Sequence, residues 1–149
     1  MLFKCYSRYY IEIRKMSQKI LFINNATESR IIPGLLARAG YRVEAATGII
    51  GLQRLGASRF DIVIVREIPG TESWPLCQKI RDLSNAPLII INPHASAETC
   101  VRAINSGADY FMRRPFGPLE LVARIRSLLQ RASLREPEQA AAPIGQAEY

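Results

Sequence analysis

Asp61-Ile-Val-Ile-Val65 is the most strongly apolar run of the chain, and a Pro69-Gly70 turn follows it. A short apolar run without alternation is typical of a strand that is buried on both faces of a parallel sheet. Two similar runs flank it in the sequence, Lys19-Ile-Leu-Phe-Ile23 before it and Leu88-Ile-Ile-Ile91 after it. Three such strands predict an α/β fold in which helices cover both faces of the sheet.

Segments with helical periodicity separate these runs. Apolar residues repeat at helical spacing from Ile31 to Ala39, with Thr27 as a candidate N-cap and Pro33 placed to kink or shorten the first turn. Further helices are predicted at 48–55, 76–83, 96–106 and from Pro118, and two more strands at 41–45 and 109–112. Alternating strands and helices imply parallel pairing with right-handed crossovers.

The pattern divides the chain into three segments. Residues 19–133 read as one domain, which suits a chain of 149 residues that is 48% hydrophobic. Residues 1–18 lack a clear periodicity, and we interpret them as an N-terminal extension upstream of the natural start near Met16, or less readily as a basic interaction arm. Residues 134–149 shift to a polar, Ala- and Pro-rich composition that predicts a linker.

Composition excludes several classes of protein. The three cysteines are widely spaced without a CxxC pair, which argues against a disulfide framework or a structural zinc site. No apolar run approaches the length of a membrane span, so we expect a cytoplasmic protein without membrane contact. The net charge of +7 is scattered along the chain, and we therefore expect no direct nucleic-acid contact by this domain.

The block from Ser106 to Arg126, Ser-Gly-Ala-Asp-Tyr-Phe-Met-Arg-Arg-Pro-Phe-Gly-Pro-Leu-Glu-Leu-Val-Ala-Arg-Ile-Arg, is the most specific part of the sequence. With the runs at 61–65 and 88–91, it resembles a response-regulator receiver domain of the OmpR/PhoB type over about Lys19 to Ala132. The resemblance implies a flavodoxin-like (βα)5 fold, a doubly wound parallel sheet with strand order 2-1-3-4-5. It also implies a two-component transcriptional regulator.

A working receiver holds Mg²⁺ with an acid pair after the first strand and takes a phosphoryl group on an aspartate that ends the third strand. A hydroxyl after the fourth strand and a lysine before a cis-proline bind the phosphate. The acceptor position falls on Arg66 when counted from Asp61, or on Val65 when counted back from Pro69. The resemblance therefore predicts a degenerate phosphorylation pocket, which consists of Asn24, Asn25, Arg66, Asn92 and Arg114.

These residues predict a pocket without phosphoryl chemistry. Two amides and two arginines disfavour a divalent cation, so we expect no metal, no cofactor and no catalytic residue. Glu67 is the nearest carboxylate. It falls on the acceptor position only if the alignment is shifted by one residue in the direction opposite to the shift that Pro69 suggests. A cis peptide is expected between Arg114 and Pro115.

The resemblance also implies a dimerisation face on the fourth helix, fifth strand and last helix. The family's switch aromatic falls on Phe111, beside Tyr110; either one ring packs in the core and the other on the surface, or a fixed rotamer locks the face. Cys100 stands where a cation is usual, whereas Asp109 appears as an acid available for pairing. The predicted face consists of Cys100, Val101, Asp109, Tyr110, Glu120, Arg124 and Arg131.

Three hypotheses follow for the function. The first is a phosphorylation-independent receiver that forms a homodimer and is joined to a winged-helix DNA-binding domain outside this chain. The second is a sensor in which Arg66 and Arg114 bind an anion or small metabolite. The third, an enzyme or flavoprotein, is disfavoured because no Gly-rich phosphate loop or nucleophile–base pair is present. His94 reads as a surface residue and Trp74 as a loop anchor.

Overall fold

The computed structural model describes residues 18–25, 31–113 and 117–147. Within them, five strands form one parallel sheet in the order β2-β1-β3-β4-β5. The strands are β1 (Lys19–Asn24), β2 (Arg42–Ala46), β3 (Ile62–Arg66), β4 (Leu88–Ile91) and β5 (Tyr110–Met112). The expected doubly wound flavodoxin-like topology is confirmed.

Five helices alternate with the strands along the described chain. They are α1 (Ile31–Arg38), α2 (Gly48–Ala57), α3 (Trp74–Leu83), α4 (Ala97–Asn105) and α5 (Pro118–Ala147). Trp74 is therefore the first residue of a helix and not the loop anchor that the sequence suggests, because Pro75 suits the first turn of a helix. None of the helices, over the residues described, is long and apolar enough to cross a membrane.

Two apolar clusters lie on the two faces of the sheet. One joins the sheet to α1 and α5 through residues such as Phe22, Leu36 and Ile125. The other joins it to α2, α3 and α4 through residues such as Val65 and Cys77. The interior of β1, β3 and β4 is almost completely buried, so polar side chains can enter the sheet only at the strand ends.

Helix α5 continues through Ala147 and so includes residues 134–147 of the stretch 134–149 for which the sequence predicts a linker. Alanine-rich sequence tolerates a helical backbone, which explains how this stretch can extend the helix. A helical stretch can also connect two domains, so the linker stays a prediction. Residues 1–17 of the expected N-terminal extension 1–18 lie outside the described residues, as do the Thr27 cap and the cis peptide at Arg114-Pro115.

Arg81 on α3 joins the loops at the amino-terminal edge of the sheet. Its guanidinium donates to the carbonyl oxygens of Gly107 and Ala86 and forms an ion pair of 2.6 Å with Asp109. The Asp109 carboxylate also accepts the backbone N–H of Leu88 at 2.8 Å. Gly107 has φ of +119°, and a Cβ at this position would overlap the Arg81 side chain. Arg81 therefore fixes the turns that lead into β4 and β5.

Replacing Arg81 with methionine should lower the free energy of unfolding by about 1–2 kcal/mol, because partly buried carbonyl groups and Asp109 lose a charged donor. Methionine keeps most of the aliphatic packing, so the loss reports the hydrogen bonds. Urea denaturation measures the change. Lys79→Met, at an exposed position of the same helix, is the matched control and should change stability by less than about 0.5 kcal/mol. Equal effects of the two variants would contradict the role assigned to Arg81.

Candidate functional site

Polar side chains meet at the carboxyl edge of the sheet, where β1, β3 and β4 end. The ladder pairs Asn24 with Arg66, and Arg66 with Ile91. One residue further on, the backbone N–H of Asn25 donates to Arg66 and that of Glu67 donates to Ile91. The same register therefore places Asn25, Glu67 and Asn92 abreast, and we call these three residues the polar row.

The polar row lies on the face of the sheet that α2, α3 and α4 cover. Successive side chains of a strand point to opposite faces. Asn25, Glu67 and Asn92 therefore share the face of Ile23, Val65 and Ile90, which belong to the cluster that contains Cys77. Asn24 and Arg66 fall on the other face, toward α1 and α5. The predicted pocket residues are thus divided between the two faces, and Arg114 lies outside the described part of the chain.

Glu67, and not Arg66 or Val65, occupies the middle of the polar row. Val65 is fully buried in the apolar layer below, whereas Arg66 is half-buried at the end of β3. The count of five residues from Asp61 falls on Arg66, which the ladder pairs with Asn24 at the end of β1. The structure begins β3 at Ile62, and Asp61 accepts the backbone N–H of Lys19 at 2.7 Å. On the face that α2, α3 and α4 cover, the structure adds the Glu67 carboxyl group to the predicted pocket residues.

The Glu67 carboxylate is 3% exposed, and its Oε1 accepts a hydrogen bond of 3.2 Å from Asn25 Nδ2. Burial raises the pKa of Glu67 above its ordinary value, and the Asn25 hydrogen bond partly opposes this rise. Glu67 in turn affects Cys77, the buried thiol of α3. Desolvation, with a contribution from the Glu67 charge that exceeds the opposing effect of Arg81, raises the pKa of Cys77 to about 12.

The amides of the row are fixed by close packing. A Cβ at Gly48 would lie 3.0 Å from Asn25 Oδ1, and a Cβ at Gly51 would lie 2.7 Å from the Ile23 side chain. Gly48 and Gly51 therefore allow α2 to approach the end of β1 closely. Asn92 is fully buried and donates from Nδ2 to the Thr71 carbonyl oxygen at 3.3 Å.

Two buried side-chain oxygens at this edge have no hydrogen-bond partner among the described residues. They are Asn92 Oδ1 and the hydroxyl oxygen of Ser73, the N-cap residue of α3. An amide oxygen without a donor is costly in a buried position. The described part of the chain contains no group of three His, Cys, Asp or Glu side chains that could hold a metal ion. The arrangement offers one buried carboxyl group flanked by two neutral amides.

The residues of the predicted dimerisation face are not all exposed. Val101 on α4 is 55% exposed. Glu120, Arg124 and Arg131 on α5 are also exposed. Cys100 instead packs against the core cluster under α4. Asp109 is held by Arg81 and Leu88 and is not the available acid that the sequence suggests. Asp109 and Arg131 both line a groove of about 600 Å³ at the amino-terminal edge of the sheet.

The two aromatic residues of β5 take different environments. Phe111 is buried in the cluster under α2, α3 and α4. Tyr110 is partly buried toward α5, where the Arg124 guanidinium carbon lies 4.5 Å from the centre of its ring. This contact is a cation–π interaction and limits the directions that Arg124 can take. His94 is exposed after β4, as its surface interpretation predicts.

A five-stranded 2-1-3-4-5 parallel sheet with polar side chains gathered at the carboxyl ends of its central strands defines a CheY-like receiver fold. The family model described as response regulator receiver domain matches residues 24–126. The chain therefore belongs to the response regulator receiver domain family.

Several characterised relatives are similar to this chain. The transcriptional regulatory protein CseB of Streptomyces avermitilis is 36% identical over 118 residues, which cover 74% of this chain and 50% of CseB. The regulatory protein VanR of Enterococcus faecium is 32% identical over 119 residues, with 78% and 52% covered. The chain thus spans about half the length of these relatives. A CheY-like receiver domain protein from Methanospirillum hungatei superposes with a TM-score of 0.72 at 27% identity, covering 79% of this chain and 98% of that structure.

The buried position of Cys77 predicts a thiol without reactivity in the folded protein. Only the thiolate is a good nucleophile, so a pKa of about 12 should slow alkylation by N-ethylmaleimide at pH 7.5. The rate should be roughly 100-fold or more below that of the same cysteine in urea. Mass spectrometry of the Cys77 peptide measures the rate. Equal rates in the folded and the unfolded chain would contradict the placement of this side chain.

Proposed function

We propose that this chain is a phosphorylation-independent receiver domain of a cytoplasmic transcriptional regulator that acts by protein interaction. The observation that supports this proposal is the polar row at the carboxyl edge of the sheet. The positions of the family's acid pair hold Asn24 and Asn25, which bring no negative charge to Mg²⁺. The one carboxylate of the row, Glu67, is buried and hydrogen-bonded to Asn25.

Glu67 is poorly suited to accept a phosphoryl group. Transfer requires an in-line approach of the donor and a cation that neutralises the developing charge. A carboxyl group that is 3% exposed offers little access, and its raised pKa reflects an environment that disfavours negative charge. Glu67 therefore adds a carboxyl group to the pocket but does not supply the missing magnesium ligands.

Incubation with acetyl phosphate and Mg²⁺ should leave the chain unphosphorylated, because the acid pair that would hold the cation is absent. Intact-mass spectrometry and Phos-tag electrophoresis measure the extent of labelling. A CheY-like receiver with its acid pair is the positive control for the donor. Stoichiometric labelling would overturn the proposal, and its loss in Glu67→Gln would then identify Glu67 as the acceptor.

The interaction surface that we propose is the face formed by α4, β5 and α5. Val101 and Ile104 leave apolar side chains exposed on α4, 55% and 47% respectively. Glu120, Arg124 and Arg131 supply charges of both signs on α5. An apolar patch with a charged rim suits association between two copies, since apolar contact supplies affinity and the charges set the register. We propose a homodimer through this face, without Cys100 and Asp109 as direct contacts.

Replacing Val101 and Ile104 together with glutamate should weaken self-association by at least tenfold, because the change places two like charges in an apolar contact. Sedimentation velocity over a concentration series measures the association. Ile49→Glu changes an apolar residue of α2 that is 77% exposed and lies outside the proposed face, and it should leave association unchanged. An unaltered dimer in the double variant, or a monomeric wild-type chain at high concentration, would contradict the proposed face.

The alternative of an anion sensor has less support from the geometry. Arg66 lies on the face opposite to Asn25 and Asn92, and the row between them contains a carboxyl group that would repel an anion when charged. The similarity to CseB and VanR supports transcriptional regulation. Both relatives are about twice as long as the matched region, which suggests that a DNA-binding output domain accompanies this receiver.

A further inference from the structure

We propose that the emptied pocket is a proton-binding site, in which protonated Glu67 donates a hydrogen bond to Asn92 Oδ1. This inference rests on the phosphorylation-independent function proposed above and assigns a form of regulation to the same pocket. It combines three independent observations of the polar row: the strand register, the burial of Glu67, and the buried Asn92 oxygen.

The register places the two side chains beside each other. Arg66 pairs with Ile91 in the ladder, and the next backbone hydrogen bond runs from the Glu67 N–H to the Ile91 carbonyl oxygen at 3.0 Å. Glu67 and Asn92 therefore project from adjacent strands toward the same helices. On the other side, Asn25 donates to Oε1, which leaves Oε2 of Glu67 to carry a proton toward Asn92.

The hydrogen-bond requirements of Asn92 favour a neutral neighbour. Its Nδ2 donates to Thr71, while its fully buried Oδ1 has no donor within the described residues. A carboxylate can only accept hydrogen bonds, whereas a carboxylic acid also donates one. The protonated form of Glu67 satisfies Asn92 Oδ1, and the charged form does not. The proton thus completes a chain of side-chain hydrogen bonds from Asn25 through Glu67 to Asn92.

Among the described residues, the charged and titratable neighbours of Glu67 do not favour its ionised form. Asn25 of the β1 end and Asn92 of the β4 end are neutral amides. The titratable group that faces it from α3 is the Cys77 thiol, which stays protonated because its pKa is raised to about 12. From α2, the residue packed against the row is Gly48, which has no side chain. Arg66 follows β3 on the opposite face, and among the described residues the influences on the pKa of Glu67 are burial and Asn25.

Protonation should change the connection between three strand ends. The row links the loop after β1 to residues 67–73 and to the end of β4, through Asn25, Glu67 and the Asn92–Thr71 bond. Ionisation of Glu67 breaks the donor side of this chain and places a charge next to a buried thiol. We therefore expect residues 67–73 to be more tightly held below the Glu67 titration midpoint than above it.

The direction of the stability change follows from the raised pKa. The folded protein binds the Glu67 proton more tightly than the unfolded chain does. The stability that this proton contributes is therefore complete below the unfolded pKa of about 4.3. It is lost as the pH rises through the higher folded pKa. Glu67→Gln cannot ionise and should keep this stability at all pH values. The melting temperature of wild type should therefore fall relative to that of Glu67→Gln as the pH rises above about 4.3.

Carboxyl-carbon NMR of glutamate-labelled full chain tests the site directly, with Glu67→Gln used to assign the Glu67 signal. Glu67 should titrate with a midpoint above the ordinary glutamate value of about 4.3. Amide signals of residues 67–73 should shift with the same midpoint in wild type and in Glu98→Gln, which changes a side chain that is 79% exposed, but not in Glu67→Gln. A Glu67 midpoint at or below the ordinary value, or a loop that does not follow it, would overturn the inference.

Asn92→Ala separates the hydrogen bond from burial alone. Loss of the acceptor for the neutral acid should lower the Glu67 midpoint, whereas Asn25→Leu, which removes the donor to the carboxylate, should raise it. Equal Glu67 titration midpoints in these two variants and in wild type would refute the proposed chain of hydrogen bonds. These measurements need no phosphodonor. A negative result in them contradicts the proton-binding site, whereas labelling in the acetyl phosphate assay contradicts the phosphorylation-independent function.

Discussion

Burial of β1, β3 and β4 on both faces limits where polar groups can lie in this fold. Backbone groups of these strands pair within the sheet, and their side chains pack against helices on both sides. A polar group in the middle of such a strand would lose its water without gaining a partner. Chemistry is therefore confined to the strand ends. The polar row at the carboxyl edge and the Arg81 network at the amino-terminal edge both follow from this constraint.

The two edges of the sheet have different roles because they differ in how completely their polar groups are hydrogen-bonded. At the amino-terminal edge, Arg81 and Asp109 bind each other and several backbone groups, so this network mainly stabilises the turns. At the carboxyl edge, Asn92 Oδ1 remains without a donor within the described part of the chain, next to a buried carboxyl group. A fully paired network resists change, whereas an incomplete one can respond to a proton. We therefore place the proposed regulation at the carboxyl edge of the sheet.

The polar row also changes how the loss of phosphoryl chemistry is understood. From the sequence, two amides and two arginines suggest a pocket with inverted charge. In the structure, Arg66 lies on the face of the sheet toward α1 and α5, and Glu67 lies on the face of Asn25 and Asn92. The described part of the pocket on that second face is therefore close to neutral when Glu67 is protonated. The missing magnesium ligands still argue against phosphorylation. The buried carboxyl group makes proton binding a better-supported form of control than anion binding.

The sequence by itself determined the sheet, its strand order and the family, because doubly buried strands have continuous apolar runs and the block from Ser106 to Arg126 is specific. It also identified Asn25 and Asn92 as members of the site. It could not decide between Arg66, Val65 and Glu67, since a shift of one residue exchanges the two faces of a strand. The tertiary structure packs Val63 and Val65 in the core, pairs Arg66 with Asn24 and places Glu67 beside Asn25. The pairing of Arg81 with Asp109 likewise joins residues 28 positions apart, and only the folded loops bring them together.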